Sequence, residues 1–489
     1  MAVDHVAGPP AATTDLKTTG STPTRWGLVG LVLITLVSLS VFHPAPAAAA
    51  PSCAAFTSAA SDRLNVKTQA QLLSNKSAEV QSFAAKGFTS TRGAPFTVAE
   101  KAGTGLSGVH RFTTASNGNV FYSADPAEIK VLQAHRGLKD EGVAFYASLT
   151  PASCLIPVYS FLKGGIHRFS TTPGERAILR DAGWKVEKAR FYVGPPKTDS
   201  TFVIGVLPDT QQEVLRAGDT RFIARSQWLV SSKSSLDLKF VTHTGDIVNW
   251  DTPDHIQYVR AAAGLKPLET AKIPYSLSPG NHDTEAVCEG GGACDPHQTR
   301  ALVRQTNSFN RYLNHGTQAV EGRFEANKVD NTYSIFSGGG ESWMMLNLEL
   351  WPRPEVLTWA RKVVASHPDT NVIVATHSYL VASGGIYNSG AYGGVSPQSL
   401  WNNLIKVYPN VRMVLCGHAG KAAARTDTGV NGNRIITMML TMHDVKTNPI
   451  RLIEVNTAAG SADSWVYSPY TNTTYPTYSK HWLGMSYVR

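Results

Sequence analysis

The chain has 489 residues, 42% of them hydrophobic and 17% charged, and a formal net charge of +9 at pH 7. That length excludes a single ordinary domain, and the apolar content supplies material for two or three buried cores. The positive excess favours anionic partners such as phosphorylated substrates or acidic wall polymers; with no Lys/Arg run and no basic patch interleaved with aromatics, nucleic acid is disfavoured.

In chain order, residues 1–49 read as a secretory signal peptide. Arg25 precedes an uncharged apolar run from Trp26 to Phe42, and Pro44 to Ala50 is proline and small residues. Ala47 and Ala49 satisfy the small-x-small rule for a cut after Ala49, whereas a cut after Ala50 leaves Pro51 beside the scissile bond. The rival reading, an uncleaved anchor, meets a run that is short for a span. Asp4, Asp15, Lys17 and Arg25 cancel, so the mature chain keeps its charge and is expected to be secreted or associated with the cell surface, with no membrane contact after cleavage.

Residues 52–194 contain an internal repeat. Glu79–Phe96, Glu128–Phe145 and Glu175–Phe191 share a pattern of Glu, aliphatics at helical spacing, a glycine (Gly87, Gly137, Gly183) and an aromatic strand. The glycine followed by Phe88, Leu138 or Trp184 predicts a glycine helix cap with a hydrophobic contact. Three units of nearly equal length predict a small α+β module of pseudo-threefold form with one shared core. Such a module suits attachment to cell-wall or carbohydrate ligands; Tyr122, Tyr146 and Tyr159 are its candidate contacts, although aromatics in repeat strands more often lie in the core.

Pro195–Ser200 reads as a linker, and from 201 to 489 strands and helices alternate. Strands are expected at 202–207, 239–242, 343–348, 371–375, 411–415 and 435–440, and helices at 220–231, 354–365 and 397–407, which makes a layered α/β core. Cys53 pairs with Cys154 and Cys288 with Cys294 on a disulfide reading; Cys416, ending an apolar run, reads as a buried free thiol.

Chemistry concentrates in Pro208-Asp209-Thr210-Gln211, Gly245-Asp246-Ile247-Val248-Asn249, Gly280-Asn281-His282-Asp283, an isolated His377, and Gly417-His418. Each follows an apolar run, so the polar residues are expected to project from strand ends into one crevice. Carboxylates from Asp209 and Asp246, amide oxygens from Gln211 and Asn281, and imidazoles from His377 and His418 are the ligand types a divalent-metal hydrolase uses. Two ions bridged by Asp246 would lower the pKa of a bound water and clamp phosphoryl oxygens during in-line attack.

Over Thr201–Pro469 this motif series resembles the calcineurin-like metallophosphoesterases. The resemblance implies an α/β/β/α sandwich in which Asp209 binds a first ion, Asp246 bridges, and Asn281, His377 and His418 hold a second. It implies that His282 stabilises the transition state or protonates the leaving alkoxide, with Asp283 as the acid that orients it. Two positions depart from the family pattern: Gln211 and Gly420 stand where it has histidines, both serving the first ion. A related secreted group shares the Asp-x-Gln form. Loss of two imidazoles should shift that site towards oxygen-preferring Mn, Mg or Ca, while Zn and Fe stay open for the centre as a whole. Of the histidines that could replace a lost ligand, His443 is a better candidate than His243, but His443-Asp444 reads first as a surface turn; His243 reads as packed or behind the site, Glu349 as a hydrogen-bond partner of a ligand, and none of the three is counted among the metal ligands.

The expected protein is therefore an exported, metal-dependent hydrolase of phosphate monoesters or diesters, acting on small or polymeric substrates. The alternative is a phosphoesterase fold with weak catalysis that serves as a binding protein for wall polysaccharide.

Overall fold

A computed structural model describes residues 50–489 except 117, 315–319, 390–391 and 445. The signal peptide read at 1–49 lies outside the described residues. Among the described residues no helix is long and apolar enough to cross a membrane.

The first part of the described chain is three copies of one unit. Each begins with a hairpin (Ser58–Leu64 with Gln71–Ser74, Ser107–Thr114 with Val120–Ser123, Ile156–Lys163 with Ile166–Ser170), continues with a helix (Ser77–Ala84, Pro126–Gln133, Pro173–Asp181) and returns as a strand. The returning strands meet through the bridges Thr97–Gly194, Ala99–Tyr146 and Ser148–Tyr192. Cross-links run around the ring: Gln71 bonds both backbone groups of Phe169, the Tyr122 hydroxyl bonds Leu73, and Asn119 receives the His167 amide. Phe96, Phe145, Phe169 and Phe191 share one core.

The recurring glutamates are the ion-pair anchors of these units. Glu79 takes Arg111, Glu128 takes Arg190, and Glu175 takes both Arg168 and Arg92. The expected glycine caps form at Gly87 (φ 91°) and Gly183 (φ 82°), where Phe88 and Trp184 donate back to Phe83 and Leu179. Gly137 does not adopt this geometry; there the helix closes through His135, whose ring nitrogen accepts from Gly137 and whose carbonyl accepts from Leu138. Tyr122 is fully buried and cannot contact an external ligand, whereas Tyr146 and Tyr159 are half-buried.

Residues 201–489 build two mixed seven-stranded sheets packed face to face with helices outside, an α/β/β/α order. Alternation along the strand Thr201–Leu207 shows why. Phe202, Ile204 and Val206 point into the layer between the sheets, against Trp343, Ile373 and Met413; Val203 and Leu207 face the outer helices Arg221–Ser231 and Ile256–Thr270. The helix Pro354–Ala365 covers the other sheet. The helix expected over 397–407 is a short α-turn, Pro397–Leu400, that widens into π-helical Trp401–Ile405 and so buries Leu400, Leu404 and Ile405 together.

The two parts share a seam, where the Gly174 amide donates to the buried Glu454 carboxyl at 2.7 Å and Ser479 bonds Asp181 at 2.5 Å. Cys53–Cys154 and Cys288–Cys294 are disulfides, and Cys416 is a buried free thiol that burial pushes up to about 12.

Candidate metal centre

Asp209, Asp246 and Asn281 follow the carboxyl ends of three parallel neighbours, Thr201–Leu207, Leu238–His243 and Tyr275–Leu277. His377 and His418 follow two parallel neighbours of the other sheet, Asn371–Thr376 and Val411–Cys416. All five converge at the rim shared by the sheets, the place where parallel strands present their ligand-binding loops. Close approach demands glycine here: a Cβ on Gly245 (φ 104°) would lie 2.7 Å from His377 Nδ1, and one on Gly280 would lie 2.1 Å from Asp246 Oδ1.

Three of these residues form a tight cluster. His377 Nε2 lies 3.0 Å from Asp246 Oδ2 and 3.1 Å from His418 Nδ1, and one potential ligand atom from each of the three falls within 4.8 Å of the others. His377 Nδ1 donates to the Thr244 carbonyl at 2.9 Å, which frees Nε2 for a metal in the neutral tautomer. Burial alone would lower the His377 pKa, but contact with Asp246 pushes it up to about 9. Burial, and then repulsion from His377, pull His418 down to about 4. Burial disfavours the Asp246 charge as well, yet attraction to His377 and His282 outweighs it and holds that carboxyl well below the usual range.

Beside this cluster lie polar atoms without partners. Both carboxylate oxygens of Asp209, Oε1 of Gln211 and Oδ1 of Asn281 are buried and make no hydrogen bond. Burial, with the neighbouring Asp246 charge adding to it, pushes Asp209 up to about 7. Native interiors rarely leave such groups unpaired, because each forfeits its hydration. Oxygen donors with imidazoles fit divalent cations, so the residues present match the ions that their chemistry implies.

His282 and Asp283 do not pair as expected. His282 Nδ1 donates to the Asn249 carbonyl at 2.6 Å, and its backbone amide donates to Asp246 Oδ1 at 3.0 Å. Asp283 accepts instead from the amides of Ile247, Val248 and Gly280 at 2.8, 3.0 and 2.8 Å. Its carboxylate ties the two metal-facing loops together, and a backbone oxygen orients the histidine. Sequence reasoning missed Asn249 because a carbonyl carries no side-chain signature. The loop closed by Cys288–Cys294 lies against this histidine: a Cβ on Gly291 would be 3.7 Å from His282 Cε1.

Among the remaining expectations, His243 is structural, bonding Thr210 Oγ1 at 3.1 Å and receiving the Gly245 amide at 3.1 Å. Glu349 does not reach a ligand, because Arg304, Arg353 and Asn331 occupy its carboxylate. Gly420 (φ 63°) sits where a Cβ would approach Ala382 Cβ to 2.8 Å, so no imidazole fits there. His443 lies beside Gln211, with its Nε2 3.2 Å from Gln211 Nε2.

Residues 202–421 match the calcineurin-like phosphoesterase family, and residues 62–194 match a domain of unknown function, DUF5648. The chain is 28% identical over 260 residues to uncharacterized protein YvnB of Bacillus subtilis, a stretch that is 51% of this chain and 18% of that protein. The chain therefore spans less than a fifth of the length of this relative. Similar solved structures include a dimetal phosphatase from Danio rerio (13% identity, 58% of this chain and 98% of that one, TM-score 0.36). A phosphopantetheinyl hydrolase from Mycobacterium tuberculosis is another (12% identity, 50% and 90%, TM-score 0.31). The five motif positions on one rim of the layered fold lie within residues 202–421, the stretch that matches the calcineurin-like phosphoesterase family.

Proposed function

We propose that the chain is an exported metal-dependent phosphoesterase that hydrolyses phosphate monoesters or diesters. The observation that carries this reading is the unpaired, buried set Asp209, Gln211 and Asn281 beside the Asp246–His377–His418 cluster. Asp246 would bridge two ions, with Asp209 and Gln211 on one side and Asn281, His377 and His418 on the other. Bound divalent ions supply Lewis-acid polarisation of the phosphoryl group and a nucleophile at neutral pH.

The protein's own groups do the rest. His282, held through Nδ1 by Asn249, keeps its other nitrogen for the leaving alkoxide and serves as proton donor. Asp283 fixes the loops that carry Asp246 and Asn281 relative to each other. The Cys288–Cys294 loop beside His282 borders the space that the leaving group occupies, which makes it the element expected to select substrates. The repeat module is proposed to hold the enzyme on wall polymer or another carbohydrate.

Purified protein should hydrolyse an aryl phosphate monoester or diester with added Mn or Zn, and lose turnover with a chelator. Absence of turnover on every phosphoester tried with every divalent ion would sink the reading. Retention of the full chain on insoluble wall polysaccharide tests the module; passage straight through removes the attachment role.

A further inference from the structure

We propose that His443 is a metal ligand, completing with Asp209 and Gln211 a second ion position on the far side of Asp246 from His377 and His418. The inference deepens the metal-dependent reading above and rests on it.

Three buried oxygens on that side have no partner: both of Asp209 and Oε1 of Gln211. The imidazole beside Gln211 belongs to His443, whose Nε2 faces the Gln211 side-chain nitrogen at 3.2 Å although 232 residues separate the two in sequence. Like the other candidate ligands, His443 follows a parallel strand, Arg434–Leu440 beside Val411–Cys416, and so arrives at the same rim.

Two sets of contacts fix this meeting. Thr441 donates its amide to Lys421 and its hydroxyl to Ala419, laying the segment before His443 over the loop that carries His418. Arg221 then ties the two sides together, donating to the carbonyl of Gln212 at 3.0 Å and to that of Asp444, the residues just after Gln211 and His443. Asp219 neutralises the guanidinium at 2.6 Å. The turn beyond is braced as well, since Asp444 donates its amide to Asn448 and accepts from Lys446 and Thr447. A surface histidine needs none of this scaffolding, whereas a ligand must be held within about 0.5 Å of its working position.

With His443 counted, the centre is balanced. Asp209, Gln211, His443 and Asp246 make one set of four donors, and Asp246, Asn281, His377 and His418 make the other. Each set mixes oxygen with imidazole, suited to Mn or Zn, and Asp246 is shared.

The test is metal stoichiometry of the full chain by mass spectrometry, with Mn-loaded protein also followed by electron paramagnetic resonance. Wild-type protein should hold two ions and show spin-coupled Mn. His443→Ala and the ring-preserving His443→Phe should hold one, show an isolated Mn spectrum, and bind the second ion at least about tenfold more weakly. If either variant keeps two coupled ions, His443 is not a ligand, even if turnover falls. A wild type with one ion overturns this inference and leaves a mononuclear phosphoesterase; a wild type with none overturns the metal-dependent reading itself. Should neither variant fold, carbethoxylation of His443 in wild type decides. Protection by Mn supports ligation, and equal labelling with and without Mn refutes it.

Discussion

The repeat module and the metal rim both bury charged side chains, and they treat them in opposite ways. In the module every recurring glutamate meets an arginine, with Glu175 meeting two, and Ser74 and Ser123 bond Glu79 and Glu128 as well. At the rim neither carboxylate oxygen of Asp209 makes a hydrogen bond, and neither do the carbonyl oxygens of Gln211 and Asn281. A buried charge with its counter-ion specifies a fold, whereas a buried charge without one is held in readiness for something the chain does not supply. Of the three module glutamates only Glu175 is buried nearly as deeply as Asp209, and it has two arginines where Asp209 has no hydrogen bond.

Substitutions should separate the two regimes. The largest effect is expected for Asp246→Asn, which removes the shared carboxylate: turnover of an aryl phosphate should fall by about a thousandfold or more, and the apo melting temperature should fall as well, because the buried His377 loses its carboxylate partner. Turnover within tenfold of wild type would break the comparison at its functional end. Next, Glu175→Gln takes the carboxylate from Arg168 and leaves Arg92 only Asp62, at 3.7 Å. Calorimetry should show a loss of about 3–5 kcal/mol, as for any buried pair deprived of one partner; a loss below 1 kcal/mol would show those arginines to be hydrated instead.

Glu454 sharpens the contrast at the seam. Burial, with Asp463 adding to it, pushes its carboxyl up to about 8. A raised carboxyl pKa means that the folded state binds a proton the unfolded chain releases above its ordinary value near 4.5. Stability therefore falls as pH rises from about 4.5 to 8 and stays low beyond. Glu454→Gln, which keeps an acceptor for Gly174, should melt with wild type at pH 4 and exceed it at pH 9 by on the order of 2 kcal/mol. No difference at pH 9 would show the charge to be already compensated.

The smallest effect, and the most diagnostic, is on apo protein: Asp209→Asn should stabilise the metal-free fold by about 1 kcal/mol, because a neutral amide costs less to bury than a carboxylate without a partner. The same change should abolish part of the melting-temperature rise that Mn brings to wild type. Destabilisation in both states would assign Asp209 to the fold rather than to the ion.

Much of this molecule was legible in one dimension. The helix at Pro354–Ala365 and the strands around Phe202, Trp343, Asn371 and Val411 follow from apolar runs and their periodicity, which are local signals. The helix Ile256–Thr270 escaped because Gly264 and Pro267 interrupt it and its apolar residues form no clean stripe; Gly264 is there so that Phe222 can pack against the backbone. The strands Ile450–Asn456 and Ser461–Ser468 escaped because both their faces are covered, leaving no alternation to read.

For the site, the sequence by itself determined the residue types, their order and the strand ends that carry them. Asp209, Asp246, Asn281, His377 and His418 are written in short motifs, and the recurring glutamates at 79, 128 and 175 announce the module. Only the tertiary structure decided what each group faces. It gave the orientation of His282 to the Asn249 carbonyl, turned Asp283 into a loop tie, closed the space at Gly420 and set His443 beside Gln211. Those outcomes depend on contacts between segments far apart in the chain, such as the Arg221 clasp on Gln212 and Asp444, and no local pattern encodes a meeting of that kind.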